Sequence, residues 1–208
     1  MTVSASPPTE VADGPSDGTG GFERTGDRLV HRGAVVSFHE RTFRAPGGET
    51  MVRDVVTHPG AVSVVAVDDD GLIVLVRQYR AAIEAEMWEI PAGKLDIEGE
   101  DLFIAARREL AEEVGLAAAS LVHLISFHNS PGFCDEFQHT YLATGLTDVG
   151  EDRQGVEEEY MTIRRWSFDE ARVAILDGTI TDAKTIIGIT LAASQLAGAS
   201  GAGPHDPS

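Results

Sequence analysis

The stretch Gly93–Leu116, GKLDIEGEDLFIAARRELAEEVGL, decides how this chain is read. A glycine-containing loop runs into a segment with helical periodicity, in which Leu102, Ala106, Leu110 and Val114 form one apolar stripe. Arg108, Glu109, Glu112 and Glu113 lie beside that stripe. Residues three and four apart share a helix face, so the three glutamates make one carboxylate row. Stacked like charges destabilise an isolated helix by a few tenths of a kcal/mol per pair. A hard divalent cation relieves that repulsion through oxygen ligands. A solvated acidic face is the ordinary meaning of such a run. Here the adjoining apolar stripe draws Glu109 and Glu113 to the core boundary instead. The preceding Glu89-Ile-Pro-Ala-Gly93 is also too particular in its turn chemistry to be a spacer.

Working outward, the periodic segment predicts a helix from about Asp101 to Val114, stopped by Gly115. Before it, Arg28–His39 and Glu49–His58 read as strands, with Ala45–Gly48 as the turn region between them. Ala61–Val67 and Leu72–Val76 read as a hairpin around Asp68-Asp-Asp-Gly71, and their continuous apolar runs suit burial on both faces. Met87–Pro91 is a short element entering the glycine loop. After the helix come strands at Leu121–His128, Gln138–Thr144 and Met161–Ser167, then helices at Phe168–Leu176 and Thr181–Leu196. Thr181 or Asp182 is the cap of the last one. Strands flanked by helices on both sides predict an α/β/α sandwich with a mixed central sheet, preceded by a small antiparallel β segment. The boundaries that follow are a disordered tail at 1–21, an N-terminal β segment at 22–57, the main domain at 58–196 and a second disordered tail at 197–208.

Composition bounds the function. With 208 residues, 42% hydrophobic and 24% charged, the chain can bury one full core. A formal net charge of −18 argues against a nucleic-acid partner, because affinity there rests on neutralising phosphates with cations. A small anionic substrate is compatible with that charge if metal ions and a few arginines reverse the local sign. Apolar runs such as Ala61–Val67 are too short for a membrane span, and no secretory signal is visible at the N-terminus. The single cysteine, Cys134, excludes an internal disulfide and suits a cytoplasmic location.

The 93–116 stretch resembles the Nudix box, whose pattern is G, five residues, E, seven residues, then R-E-apolar-x-E-E-x-G-apolar. Glu100, Arg108, Glu109, Leu110, Glu112, Glu113, Gly115 and Leu116 all fall in register. The departure is one extra residue between Gly93 and Glu100, a loop insertion that costs little entropy and leaves the helix register untouched. The resemblance covers roughly residues 58–196 and implies the Nudix fold. It implies Glu109, Glu112, Glu113 and the Ala92 carbonyl as ligands of Mg²⁺, with Mn²⁺ as the substitute, and Arg108 as the group that orients Glu112. In the ADP-ribose pyrophosphatases of that family, which the chain also resembles, a glutamate in a loop at the place of Glu157-Glu-Glu159 reaches the metals and helps to activate the attacking water. Glu158 is the first candidate for that role, with Glu157 and Glu159 as alternatives.

The subfamily resemblance is to ADP-ribose pyrophosphatases. It rests on Val76-Arg-Gln-Tyr-Arg80, on Trp88-Glu-Ile-Pro-Ala-Gly93 and on Pro131, sixteen residues beyond Gly115. It implies Arg80 and Glu136 as contacts to phosphate and terminal ribose, Arg53 as a residue reaching in from the N-terminal segment, and Glu89 as a weaker substrate contact. It also implies a homodimer that exchanges that segment. The expected reaction is Mg²⁺-dependent hydrolysis of ADP-ribose to AMP and ribose 5-phosphate. The alternatives are another nucleoside diphosphate sugar or dinucleotide, or a non-catalytic nucleotide-binding module, which the intact set of Arg108 and three glutamates disfavours. His58, His123, His128 and His139 lack metal-ligand spacing and read as structural, and Trp88 and Trp166 read as packing residues.

Overall fold

The computed structural model describes residues 19–150 and 160–201, so the tails before and after them and the 157–159 glutamates lie outside the described residues. Two units are distinguished, with the boundary between Val56 and Thr57.

The N-terminal unit is a three-stranded sheet in the order β1 (Glu23–Arg32), β2 (Ser37–Arg44), β3 (Thr50–Thr57). The single strand expected over 28–39 is in fact two. Gly33 N–H donates to Val36 O at 2.8 Å and the chain reverses there. A side chain at Gly33 would crowd that same carbonyl at 3.0 Å. An antiparallel ladder joins β1 to β2, and ion pairs lie across it: Arg28 grips Glu40 through two bonds, and Asp27 accepts from Arg41 and pairs with His39. None of residues 19–56 is fully buried.

In the second unit, burial alternates along the strands. On β4 (Ala61–Ala66), Val62, Val64 and Ala66 join one apolar cluster while Val65 joins another. On β5 (Ile73–Arg80), Val74 and Val76 belong to the first cluster, Ile73 and Leu75 to the second. Successive side chains of a strand point to opposite faces, so both strands are covered on both sides. Helix α1 (Leu102–Val114) supplies Ala105, Ala106, Leu110 and Val114 to the first cluster. Helices α2 (Phe168–Leu176) and α3 (Ala183–Gly201) supply Ala171, Ala174, Ile189 and Ala192 to the second. This is the expected α/β/α sandwich.

The strands form two sheets. One has the order β7 (Ala92–Lys94), β4, β9 (Phe137–Asp148), β8 (Leu116–His128) and is mixed, because β4 and β9 run parallel while β7 and β8 are antiparallel to their neighbours. The other is antiparallel, in the order β10 (Thr162–Trp166), β5, β6 (Ala85–Glu89). The expected hairpin between 61–67 and 72–76 therefore closes without zipping. Asp68 N–H reaches Leu72 O at 2.9 Å and Val67 bridges Ile73, after which β4 and β5 part into different sheets. Each strand finds its ladder partners elsewhere, β4 in β9 and β5 in β10 and β6. Helix α3 also runs to Gly201, past the end expected at Leu196 and into the stretch expected to begin a disordered tail at 197. Trp88 and Trp166 pack edge to face at 5.2 Å, as packing residues should.

Candidate active site

The helix that carries the carboxylates is fixed at both ends by its own sequence. Asp101 accepts from Phe103 and Ile104 N–H at 2.9 and 3.3 Å, which satisfies two donors of the first turn. Gly115 closes the other end at φ 66°, with its N–H on Ala111 O.

Edge strand β7 lies under the helix. Ala92 N–H donates to Glu113 Oε2 at 2.9 Å, and Glu113 is only 3% exposed. Gly93 makes room for the next carboxylate. A Cβ there would sit 1.8 Å from Glu109 Cδ, so glycine lets the Glu109 carboxyl lie against the strand and any side chain would displace it. Burial pushes the Glu109 carboxyl up to about 7, against the attraction of Arg108.

Arg108 is the hub. It makes a two-bond fork to Glu100 at 3.0 and 2.9 Å, and one terminal nitrogen also reaches Glu109 at 2.8 Å and Glu112 at 3.0 Å. The fork holds the Glu100 carboxyl below the usual range, and the same bonds raise Arg108 further above its already high value. Arg108 touches Glu112, as an orienting group would, and its two-bond partner is Glu100.

Ala92, Glu109, Glu112 and Glu113 suit a hard divalent cation by donor chemistry, since every donor is oxygen. Their geometry is organised around other partners: Arg108 takes one oxygen from each of Glu109 and Glu112, and Ala92 N–H binds Glu113. Among the described residues no three acidic, histidine or cysteine side chains already converge as a cation cage. The fit therefore rests on the donor set and on a charge deficit: one guanidinium serves Glu100, Glu109 and Glu112 together.

A second charged assembly adjoins the first. Glu89, fully buried at the end of β6, accepts from Arg80 Nε at 2.6 Å and from a second Arg80 nitrogen at 2.5 Å. Lys184 Nζ also donates to Glu89 Oε2, and pairs with Asp182 at 3.0 Å. Burial alone would lift the Glu89 carboxyl, but the Arg80 bonds and the Lys184 charge outweigh it and hold it below the usual range. Arg80, expected as a phosphate contact, is thus anchored by Glu89, expected as a weak substrate contact. The Glu89 bonds and, more weakly, the Glu113 charge raise Arg80 above its ordinary value, and Glu89 stands three residues before Ala92 in the chain. Lys184 was not singled out from sequence. The available signal was a lone lysine opening an otherwise apolar helix, AKTIIGITLAA.

Pro131 and Glu136 belong to the loop between β8 and β9. That loop is closed by Asn129 N–H on Glu136 O at 3.3 Å and by a turn from Ser130 O to Phe133 and Cys134 N–H. Pro131 is exposed and Glu136 half-buried. Register puts this loop at the glycine-loop end of the sheet, because Ala61 pairs with both Lys94 and Gln138. Arg53 lies on β3, and its guanidinium donates to Val52 O at 2.8 Å. Two of the histidines, His123 and His139, share Ser126 Oγ at 2.8 Å each, and burial lowers the pKa of both.

Comparison with known proteins adds the following. The family model of the NUDIX domain matches residues 57–187. An ADP-ribose pyrophosphatase of Mycobacterium tuberculosis is 42% identical over 168 residues, 81% of each chain. A methanol dehydrogenase activator of Bacillus methanolicus is 42% identical over 161 residues, 77% of this chain and 86% of the relative. A solved structure titled as an ADP compounds hydrolase superposes with a TM-score of 0.74 at 23% identity, over 86% of this chain and 95% of that one. The last likeness concerns fold alone.

Proposed function

We propose the following reading for a chain that belongs to the Nudix family: it is a hydrolase that splits the diphosphate of ADP-ribose into AMP and ribose 5-phosphate. The observation that carries it is the carboxylate row of α1 laid against Gly93 and Ala92, with a single guanidinium among the carboxylates. The ADP-ribose pyrophosphatase relative, alike over most of both chains, supports the choice of substrate.

Mg²⁺, with Mn²⁺ as substitute, is the ion we assign to Ala92 O, Glu109, Glu112 and Glu113. When bound it neutralises phosphate charge and acidifies a water. The chain's own residues do the rest. Glu113 is held in place by Ala92 N–H, and Glu112 by Arg108. Arg80 meets the diphosphate, positioned by Glu89. Pro131 shapes the loop that brings Glu136 toward the terminal ribose. One of Glu157, Glu158 and Glu159 takes the proton of the attacking water, with Glu158 first.

The working protein is a cytoplasmic homodimer in this reading, and Arg53 contributes from the N-terminal unit. Phe22, Leu29, Val30, Val35, Val36 and Val52 of that unit are all exposed apolar side chains, of which a second copy would cover a share. Solution mass should correspond to two chains. The substrate is tested by assaying a panel of nucleoside diphosphate derivatives with Mg²⁺. ADP-ribose should give the highest kcat/KM, and a preference for a UDP-sugar would overturn the assignment.

A further inference from the structure

Helix α3 delivers a buried cation to the edge of the site. Lys184 Nζ shares Glu89 Oε2 with Arg80, whose Nε takes Oε1 of the same carboxylate. The lysine and glutamate side chains are 10% and 1% exposed, while Arg80 is 41% exposed. Arg80 is therefore the member of the chain that opens to solvent. Lys184 is fenced by Glu89 and by Asp182, so it reaches a ligand only through them.

The charges explain why a lysine stands there. Arg80 and Glu89 alone would be a neutral pair, its negative partner fully spent on the guanidinium. With Lys184, two cations share one carboxylate and the three groups carry one net positive charge. Asp182, paired with Lys184 at 3.0 Å, brings the four groups to neutrality, and its other oxygen is committed to the first turn of α3. It accepts from Thr185 N–H at 2.9 Å and from Thr185 Oγ1 at 2.6 Å, and Ile90 N–H donates to Thr185 Oγ1 at 2.9 Å. The first turn of α3 is thus bonded to the chain at Glu89 and Ile90, and the position of Lys184 is set by both.

We infer that Lys184 is a positioning residue for Arg80: with Asp182 balancing its charge, it fixes the Glu89 carboxylate that anchors the guanidinium where an anionic diphosphate would meet it. This rests on the ADP-ribose reading above and names a residue that acts through another. A purely structural staple between α3 and β6 would affect stability alone.

Steady-state kinetics with ADP-ribose and Mg²⁺ separate the two. K184M should raise KM about tenfold with kcat changed by less than about threefold, and K184R, which keeps the charge, should recover most of the loss. D182N retains an oxygen to cap α3 but removes the negative charge beside Lys184, so it should lower KM. It also serves if K184M does not fold. A K184M protein with wild-type KM, or a D182N protein with KM unchanged or raised, would overturn the inference. The wild-type protein is assayed alongside. If it fails to cleave ADP-ribose, the substrate reading falls and takes this inference with it; if it cleaves and the variants do not respond, only the role of Lys184 falls.

Discussion

Two neighbouring charge assemblies in this molecule are built on opposite ratios. On α1, one guanidinium serves three carboxylates: Glu100, Glu109 and Glu112 all bond to Arg108. At the end of β6, one carboxylate serves two cations, since Glu89 holds both Arg80 and Lys184. The consequence is visible in the acids. Burial wins at Glu109 and pushes it up to about 7, whereas two cations win at Glu89 and hold it down. The first assembly lacks positive charge, the condition a divalent cation relieves. The second is complete, which suits it to fixing geometry.

Breaking the complete assembly should have the largest effect. Glu89→Ala leaves a buried lysine and an anchored arginine without their shared anion, and should cost about 3 kcal/mol of stability by urea unfolding. The milder Glu89→Gln should alter the acid limb. The folded Glu89 has a pKa below its ordinary 4.5, so it binds fewer protons than the unfolded group. Its contribution is present above about pH 4.5 and is lost as pH falls through the folded value. Acid unfolding of Glu89→Gln should accordingly be shallower below that pH than in the wild type. An unchanged acid limb would mean that Glu89 does not carry the linkage.

The deficient assembly should respond in activity more than in stability. Glu113→Gln keeps an oxygen for Ala92 N–H but removes a charge, and should lower kcat about 100-fold, ~2.7 kcal/mol of barrier. Its unfolding midpoint without Mg²⁺ should equal or exceed that of the wild type, and the rise in Tm that Mg²⁺ gives the wild type should shrink. Full activity would remove Glu113 from the ligand set.

Gly93→Ala sharpens the contrast at the smallest scale. Its methyl group would occupy the place of the Glu109 carboxyl, the far end of a flexible side chain that can swing away. Stability should change little, while kcat/KM should fall about tenfold, ~1.4 kcal/mol. Circular dichroism melts and kinetics on one preparation check both halves.

Much of the first assembly was legible in the chain itself. Helical periodicity and the Gly115 stop are local properties, so the faces of Glu109, Glu112 and Glu113 followed from spacing, while the Asp101 cap emerged with the structure. Two-sided burial of β4 was equally legible in its apolar run, interrupted only by Ser63. The N-terminal strands were less so, because Gly33 inside a plausible strand run did not by itself announce a reversal. The family resemblance brought in Arg80 and Glu89, but as substrate contacts and not as partners of each other.

What sequence determined by itself was therefore everything carried by bonds and spacings within one helix or strand: element type, capping, and which carboxylates share a face. Tertiary structure alone decided that β4 and β5 leave one turn for different sheets, and that Lys184 meets Glu89 across 95 positions of chain. The physical reason is range. Backbone propensity and side-chain periodicity act over a few residues, whereas the partner of a buried charge is chosen by whichever distant element packing brings within bonding distance.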